Sequence, residues 1–345
     1  MGGTVTIDTP ARAFAPAAGR GVLPVALAAV LLLMAASLAW GARSVGIGEV
    51  WAALWSHDGS SAAIIVREMR VPRTLLAVAV GAALGTAGAL LQGHTRNPLA
   101  DPGLLGVSAG AAFAVVLGLH LELLTSMASY LWSAFVGALV ASAVVFGLGS
   151  VGRGGPTPAA LAMAGAAVTA FLAALTSALV LLDVATLDAF RFWAVGSVGG
   201  ADAATVQVVG PVLCLGLLLA VRHARALDTL SLGVEVARAL GQRVALVRVA
   251  GVVVVALLAG AAVAAAGPIA FVGLLVPHAA RILVGPGHRR LVPLSAALGA
   301  ALLLAADVVG RLVVRPGELQ VGVVLALIGA PVFIALVRRA RLAAL

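Results

Sequence analysis

The chain has 345 residues, of which 62% are hydrophobic and only 10% charged, with a formal net charge of +9. A soluble domain carries about a quarter charged residues, so this composition excludes an ordinary soluble globule and implies a membrane protein. The 22 basic side chains are all arginine, and membrane topology explains the positive balance before nucleic acid does.

In chain order, Arg12 and Arg20 lie in a tail over 1–20, followed by an apolar stretch from Val22 to Trp40. That stretch exceeds the about 7–15 apolar residues of a cleaved signal, so it reads as a retained first span. Further apolar segments fall at 72–93, 103–120, 128–149, 158–182, 203–221, 244–266, 268–284, 291–308 and 321–337, separated by Pro, Gly or charged residues. With the first at 21–42, these predict an all-α polytopic protein of about ten transmembrane helices forming one domain over 1–345. Pro72 is placed in the first turn of the second helix. Arginines favour the cytoplasmic face. One face receives Arg96, Arg222, Arg225, Arg238, Arg243, Arg248 and Arg281, and the opposite face receives Arg67, Arg70, Arg73 and Arg311 with most of the acids. Both termini are therefore expected in the cytoplasm.

The longest polar interval on the basic face runs over 222–243. Within it Gly233 to Leu240 reads as a short amphipathic helix with Val236, Ala237 and Leu240 on one side. Glu235 stands near its start, Arg238 near its end, and Gly241 acts as a stop. It is either a connecting helix at the membrane surface or a docking element for a cytoplasmic partner. An echo between "GAALGTAG" at 81–88 and "GAAVAAAG" at 260–267 has the placement of an inverted repeat, although small residues also serve close helix packing.

Catalytic signatures are missing. No carboxylate stands clearly at mid-span, which weighs against a proton relay and against a stand-alone secondary transporter. No zinc pattern or cysteine pair is present, and no metal ligands are assigned. A chain without lysine cannot carry a P-loop, so nucleotide energy must come from another chain. His278, in "LLVPHAARIL", reads as a packed, hydrogen-bonded residue rather than a ligand, and the lone Cys214 as a small buried side chain. On the face opposite the basic one, Arg67, Arg70, Arg73 and Arg311 read either as interfacial anchors, partly self-neutralised because Asp307 precedes Arg311 by four residues, or as a basic rim for an acidic partner.

The stretches "RVPRTLLAVAVGAALGTAGALLQG", "RNPLADPGLLGVSAGAA", "FRFWAVGSVGG", "LGVEVARALG", "AAGPIAFVGLLVPHAARILVG" and "GVVLALIGAPVF" resemble, in this order, the FecCD family of permeases. These are the membrane subunits of type II ABC importers for iron-siderophores, haem and cobalamin. The resemblance implies a ten-helix permease fold and a dimer with a second permease copy, identical or related, around a central pathway. It implies two cytoplasmic ABC ATPase subunits that bind ATP and Mg, an extracytoplasmic substrate-binding protein, and no cofactor in this chain. It assigns docking of the binding protein to Arg70, Arg73 and Arg311. Coupling to the ATPase falls to Leu232, Gly233, Glu235, Val236, Ala237, Arg238, Leu240 and Gly241, and gating at the inner mouth to Asn97 and Leu99. Gln320 stands where the family commonly has proline, which puts the local turn in question. The expected function is import of a metal chelate, first a ferric siderophore and alternatively haem or cobalamin, across a bacterial cytoplasmic membrane.

Overall fold

The computed structural model describes residues 21–41, 45–55, 59–151 and 157–339. The tail over 1–20, with Arg12 and Arg20, lies outside them. The described residues form helices throughout: α1 (Val22–Ala39), α2 (Ile47–Trp55), α3 (Ser61–Thr95), α4 (Val107–His120), α5 (Met127–Gly149), α6 (Pro158–Leu182), α7 (Val184–Trp193), α8 (Ala203–Ser231), α9 (Val234–Ala239), α10 (Val244–Ala266), α11 (Val272–Val284), α12 (His288–Val313) and α13 (Val321–Arg339). Seven of them, α1, α3, α5, α6, α8, α10 and α12, are long and apolar enough to cross a membrane. The shorter apolar helices α4, α11 and α13 bring the set to the ten segments expected from sequence.

Burial ranks the spans. α3 is the central helix, with 83% of its apolar window buried, and it packs against α12, α10, α8 and α11. α1 and α6 sit at the periphery, each with 22% of its window buried. Small residues let the central helices approach closely, as expected where apolar lipid gives no drive for association. At Gly88 of α3 a methyl group would collide with the backbone carbonyl of Gly273 at the start of α11, so only glycine fits that crossing.

Four local features depart from the expected pattern. α3 begins at Ser61, capped by the Ser60 hydroxyl accepting from the Ala63 N–H (3.1 Å), and not near Pro72. A π-helical turn over Ile65–Arg70 lets the helix continue into Pro72, where an α-helical register would clash with the proline ring. α8 runs on to Ser231, so Arg222 and Arg225 belong to a helix and not to a polar loop. Finally, α2 and α7 are short amphipathic helices inside segments that carry no span-length apolar run.

α4 and α11 are both preceded by irregular backbone, at 96–106 and 267–271. Non-helical backbone is tolerated at membrane depth only where protein or a cavity satisfies it. Here the two irregular stretches face each other, with Gly273 packed on Pro102. The Gln92 side-chain amide bridges the first stretch and the start of α11, its Nε2 donating to the Leu274 carbonyl (3.2 Å) and, more weakly, to the carbonyls of Gly273 (3.4 Å) and Ala100 (3.5 Å).

Candidate functional site

At one end of the bundle the three arginines assigned to docking form a buried clamp. Arg73 Nη2 donates to Asp307 Oδ1 (2.8 Å), its Nε lies 3.1 and 3.2 Å from the two Asp307 oxygens, and its Nη1 reaches Glu318 (2.7 Å). Arg311, one turn after Asp307, takes the other carboxylate oxygen (Nη2 to Oδ2, 2.8 Å). It also donates to the Ser37 hydroxyl (2.7 Å) and to the carbonyls of Ser37 (3.0 Å) and Trp40 (3.2 Å). Arg70 donates to the carbonyls of Leu38 (2.6 Å) and Ala39 (2.9 Å). The last carbonyls of α1 have no partner within their own helix, and cations at a helix C-terminus are favourable. Arg70 and Arg311 therefore supply the missing cap from α3 and α12.

The expectation of a displayed basic rim is corrected on this point. Arg70 and Arg311 are only 5% and 2% exposed. Of the two readings left open by the sequence, the geometry is that of self-neutralised anchoring. The Asp307–Arg311 pair was legible in the spacing, whereas Arg73, Ser37 and the carbonyls of α1 join it from far away in sequence.

At the opposite end lies the turn between α3 and α4. Arg96 ends α3 in the left-handed region (φ 48°). The Asn97 side-chain oxygen accepts from the Leu99 N–H (2.9 Å), which fixes a tight turn. Asp101 Oδ1 accepts from the Gly103 N–H (2.8 Å) and starts a 3₁₀ turn over Pro102–Leu105. Burial pushes the Asp101 carboxyl above its usual range, and the Gly103 N–H opposes this only in part. Asn97 and Leu99 are half-buried, and Arg96 Nη2 donates to the Leu230 carbonyl of α8 (2.8 Å), so this turn is tied to the segment that leads into α9.

α9 matches the expected short helix. Gly233 has φ 115° and Gly241 φ 81°, conformations that favour glycine at both boundaries. Glu235 and Arg238 pair across one turn (2.9 Å) at the solvent face. The expected apolar side divides in two. Ala237 is fully buried beneath the helix, while Leu232, Val236 and Leu240 form an exposed stripe. Gln242 anchors the following turn by donating to the Ala226 carbonyl (2.9 Å).

Five of the motif stretches meet around a cavity of about 390 Å³, the first of them through Leu84 of α3. Its walls include Asp101 and Pro102, Val195 after α7, Pro268 and Ile269 in the irregular stretch before α11, and Gly322 at the start of α13. Asn97 and Leu99 are not among its lining residues. The Gly322 N–H donates to the Gly196 carbonyl (3.0 Å), and the Gln320 carbonyl accepts from Val323 (3.0 Å), so α13 starts at Val321 with glutamine before it.

Sequence reading also missed a histidine group near the Arg96 turn. His94 and His223 approach through their Nε2 atoms (2.9 Å), and Asp228 holds His288 through its ring (3.1 Å) and its backbone N–H (2.6 Å). No group of three or more His, Cys, Asp or Glu among the described residues could hold a metal ion. His278 is half-buried on α11, and Cys214 is exposed on α8, contrary to the expected buried position.

Comparison with known proteins supplies the last observations. The FecCD transport family matches residues 29–339. The chain is 48% identical over 318 residues to the ferric enterobactin transport system permease protein FepD of Escherichia coli (strain K12), covering 92% of this chain and 95% of that protein. It is 39% identical to the hemin transport system permease protein HmuU of Yersinia pestis, covering 93% and 97% of the two chains. Among solved structures, an inward-facing conformation of a metal-chelate type ABC transporter superposes with a TM-score of 0.81 at 29% identity, covering 92% of this chain and 99% of that one.

Proposed function

The chain belongs to the FecCD transport family, and from that premise we propose that it carries a ferric siderophore through the membrane by alternating access, powered by partner ATPases. It is an all-helical, membrane-embedded permease of the metal-chelate ABC import class, a transport subunit that works in a complex with other subunits. The proposal for the cargo rests on the relationship to the ferric enterobactin permease; haem is the alternative that the hemin permease keeps in view, and cobalamin is a third.

One observation carries the mechanism. The turn whose Asp101 and Pro102 wall the cavity is tied by Arg96 to the α8 terminus, and α8 leads directly into the exposed stripe of Leu232, Val236 and Leu240. A cytoplasmic ATPase seated on that stripe, around Gly233, Glu235, Ala237, Arg238 and Gly241, would move the turn carrying Asn97 and Leu99 when it changes shape. The binding protein docks at the opposite end. Arg70, Arg73 and Arg311 serve that docking as the buried frame that fixes α1, α3 and α12 beneath the contact surface. The chain acts as a single permease domain paired with an identical or related second copy, in a bacterial cytoplasmic membrane with both termini inside. It needs no cofactor of its own, because ATP and Mg are held by the ATPases.

The test is reconstitution in liposomes. With the ATPase, the binding protein and ATP, uptake of a ferric siderophore is expected; the permease with a proton gradient alone is expected to give none. Gradient-driven uptake without the ATPase would overturn the reading in favour of a secondary transporter.

A further inference from the structure

α2 presents three distinct sides. At about 100° per residue, Val50, Ala53 and Leu54 occupy one sector and pack against Ala39, Val45, Ala63 and Val66 in a small core of their own. Glu49, Gly48 and Ala52 occupy a second, exposed sector of small and polar residues. Between the two run Ile47, Trp51 and Trp55, spaced four apart, which are 80%, 67% and 73% exposed. The Trp51 and Trp55 rings meet at an angle of 56° with centroids 5.8 Å apart.

The helix is firmly held, so this stripe is not a loose loop. Glu49 accepts from the Gly46 N–H at its start (2.9 Å). Arg67, from the π-helical turn of α3, donates to the carbonyls of Ala53 and Leu54 at its end. The same small core joins α2 to the end of α1, where Trp40 is also exposed, and the outer side of α1 continues the apolar surface through Leu31 and Leu32.

We propose that α2 is an interfacial helix whose Ile47, Trp51 and Trp55 stripe is seated in bilayer lipid at the boundary between headgroups and acyl chains. A partner protein contacting this end from the aqueous side would meet the sector of Glu49, Gly48 and Ala52. The Trp stripe occupies a different sector, on a helix joined by its small core to the end of α1, whose Leu31, Leu32 and Trp40 are exposed apolar side chains like those of the stripe. Tryptophan favours this depth because its ring is apolar with one polar N–H, and an amphipathic helix lying in the interface buries its apolar face there. Seated in this way, α2 fixes the depth of the π-helical turn and of the arginine clamp behind it.

The experiment uses the whole permease in lipid nanodiscs and reads the emission of Trp51 and Trp55 as the difference between wild type and the double variant Trp51→Phe, Trp55→Phe. With phosphatidylcholine brominated near the head of its acyl chains, that difference is expected to be largely lost. Aqueous iodide is expected to quench it less than the brominated lipid does. Stronger quenching by iodide would place the stripe in water, and resistance to both quenchers would place it under protein; either result overturns the proposal. Should the double variant not fold, the two single Phe variants give the same readings.

Discussion

Asp307 holds two guanidiniums at once, one on each carboxylate oxygen, in a place from which water is almost excluded. Replacing it with asparagine keeps the shape and removes the charge, leaving Arg73 with Glu318 and Arg311 with neutral acceptors. Removing one partner of a buried pair costs about 3–5 kcal/mol because the other charge is stranded. Asp307→Asn is therefore expected to lower the thermal unfolding transition of the purified protein clearly. Adding Arg311→Met in the same chain should restore part of the loss, since one stranded cation is gone. Equal transitions for wild type and Asp307→Asn would show that the carboxylate contributes no net stability. The sequence made half of this arrangement visible, because Asp307 and Arg311 are one helical turn apart. It could not show that Arg73, 234 residues earlier, shares the same carboxylate, nor that the arginines face carbonyls of α1 rather than a partner.

Long apolar runs between Pro, Gly and charges made the spanning helices legible, because the length needed to cross a bilayer leaves few alternatives. Elements without that constraint were missed. α2 and α7 are too short to stand out in so apolar a chain, and the π-helical turn before Pro72 leaves no compositional mark. α9 was legible because glycines bound it on both sides, yet which of its apolar residues faced inward depended on how it lies against its neighbours. Its exposed stripe carries a specific expectation. Val236→Asp or Leu240→Asp alters no buried packing, so the permease should insert and purify normally, while ATP-driven uptake in the reconstituted complex falls severely through loss of ATPase coupling. Undiminished uptake in both variants would remove α9 from the coupling route.

At the scale of the whole molecule, the proposed mechanism runs through the cavity, the turn at 96–106 and α9, with Arg96 on the Leu230 carbonyl as its joint. Arg96→Met should keep the fold, since Arg96 is an exposed residue at the end of its helix, but loosen the turn from α8. Uptake per ATP hydrolysed is then expected to fall several-fold while ATP hydrolysis continues; an unchanged ratio would break the line at this joint. The family resemblance assigned a gate to Asn97 and Leu99, but the shared cavity was not legible. Its walls come from five motif stretches spread between Leu84 and Gly322, and nothing in the stretch that holds Gln92 showed that its side chain reaches the start of α11.

The arginine clamp also sets a schedule for biogenesis. α1 packs mainly against α12 and is capped at its end by Arg70 and Arg311, and the last component of that cap, Arg311, is made 274 residues after Ser37. At about 5–20 residues per second, roughly 14 to 55 s separate the two on the ribosome. During that interval α1 is held by its early partners on α2 and α3, Arg70 and Thr74 among them, and its main packing surface is supplied only when α12 arrives.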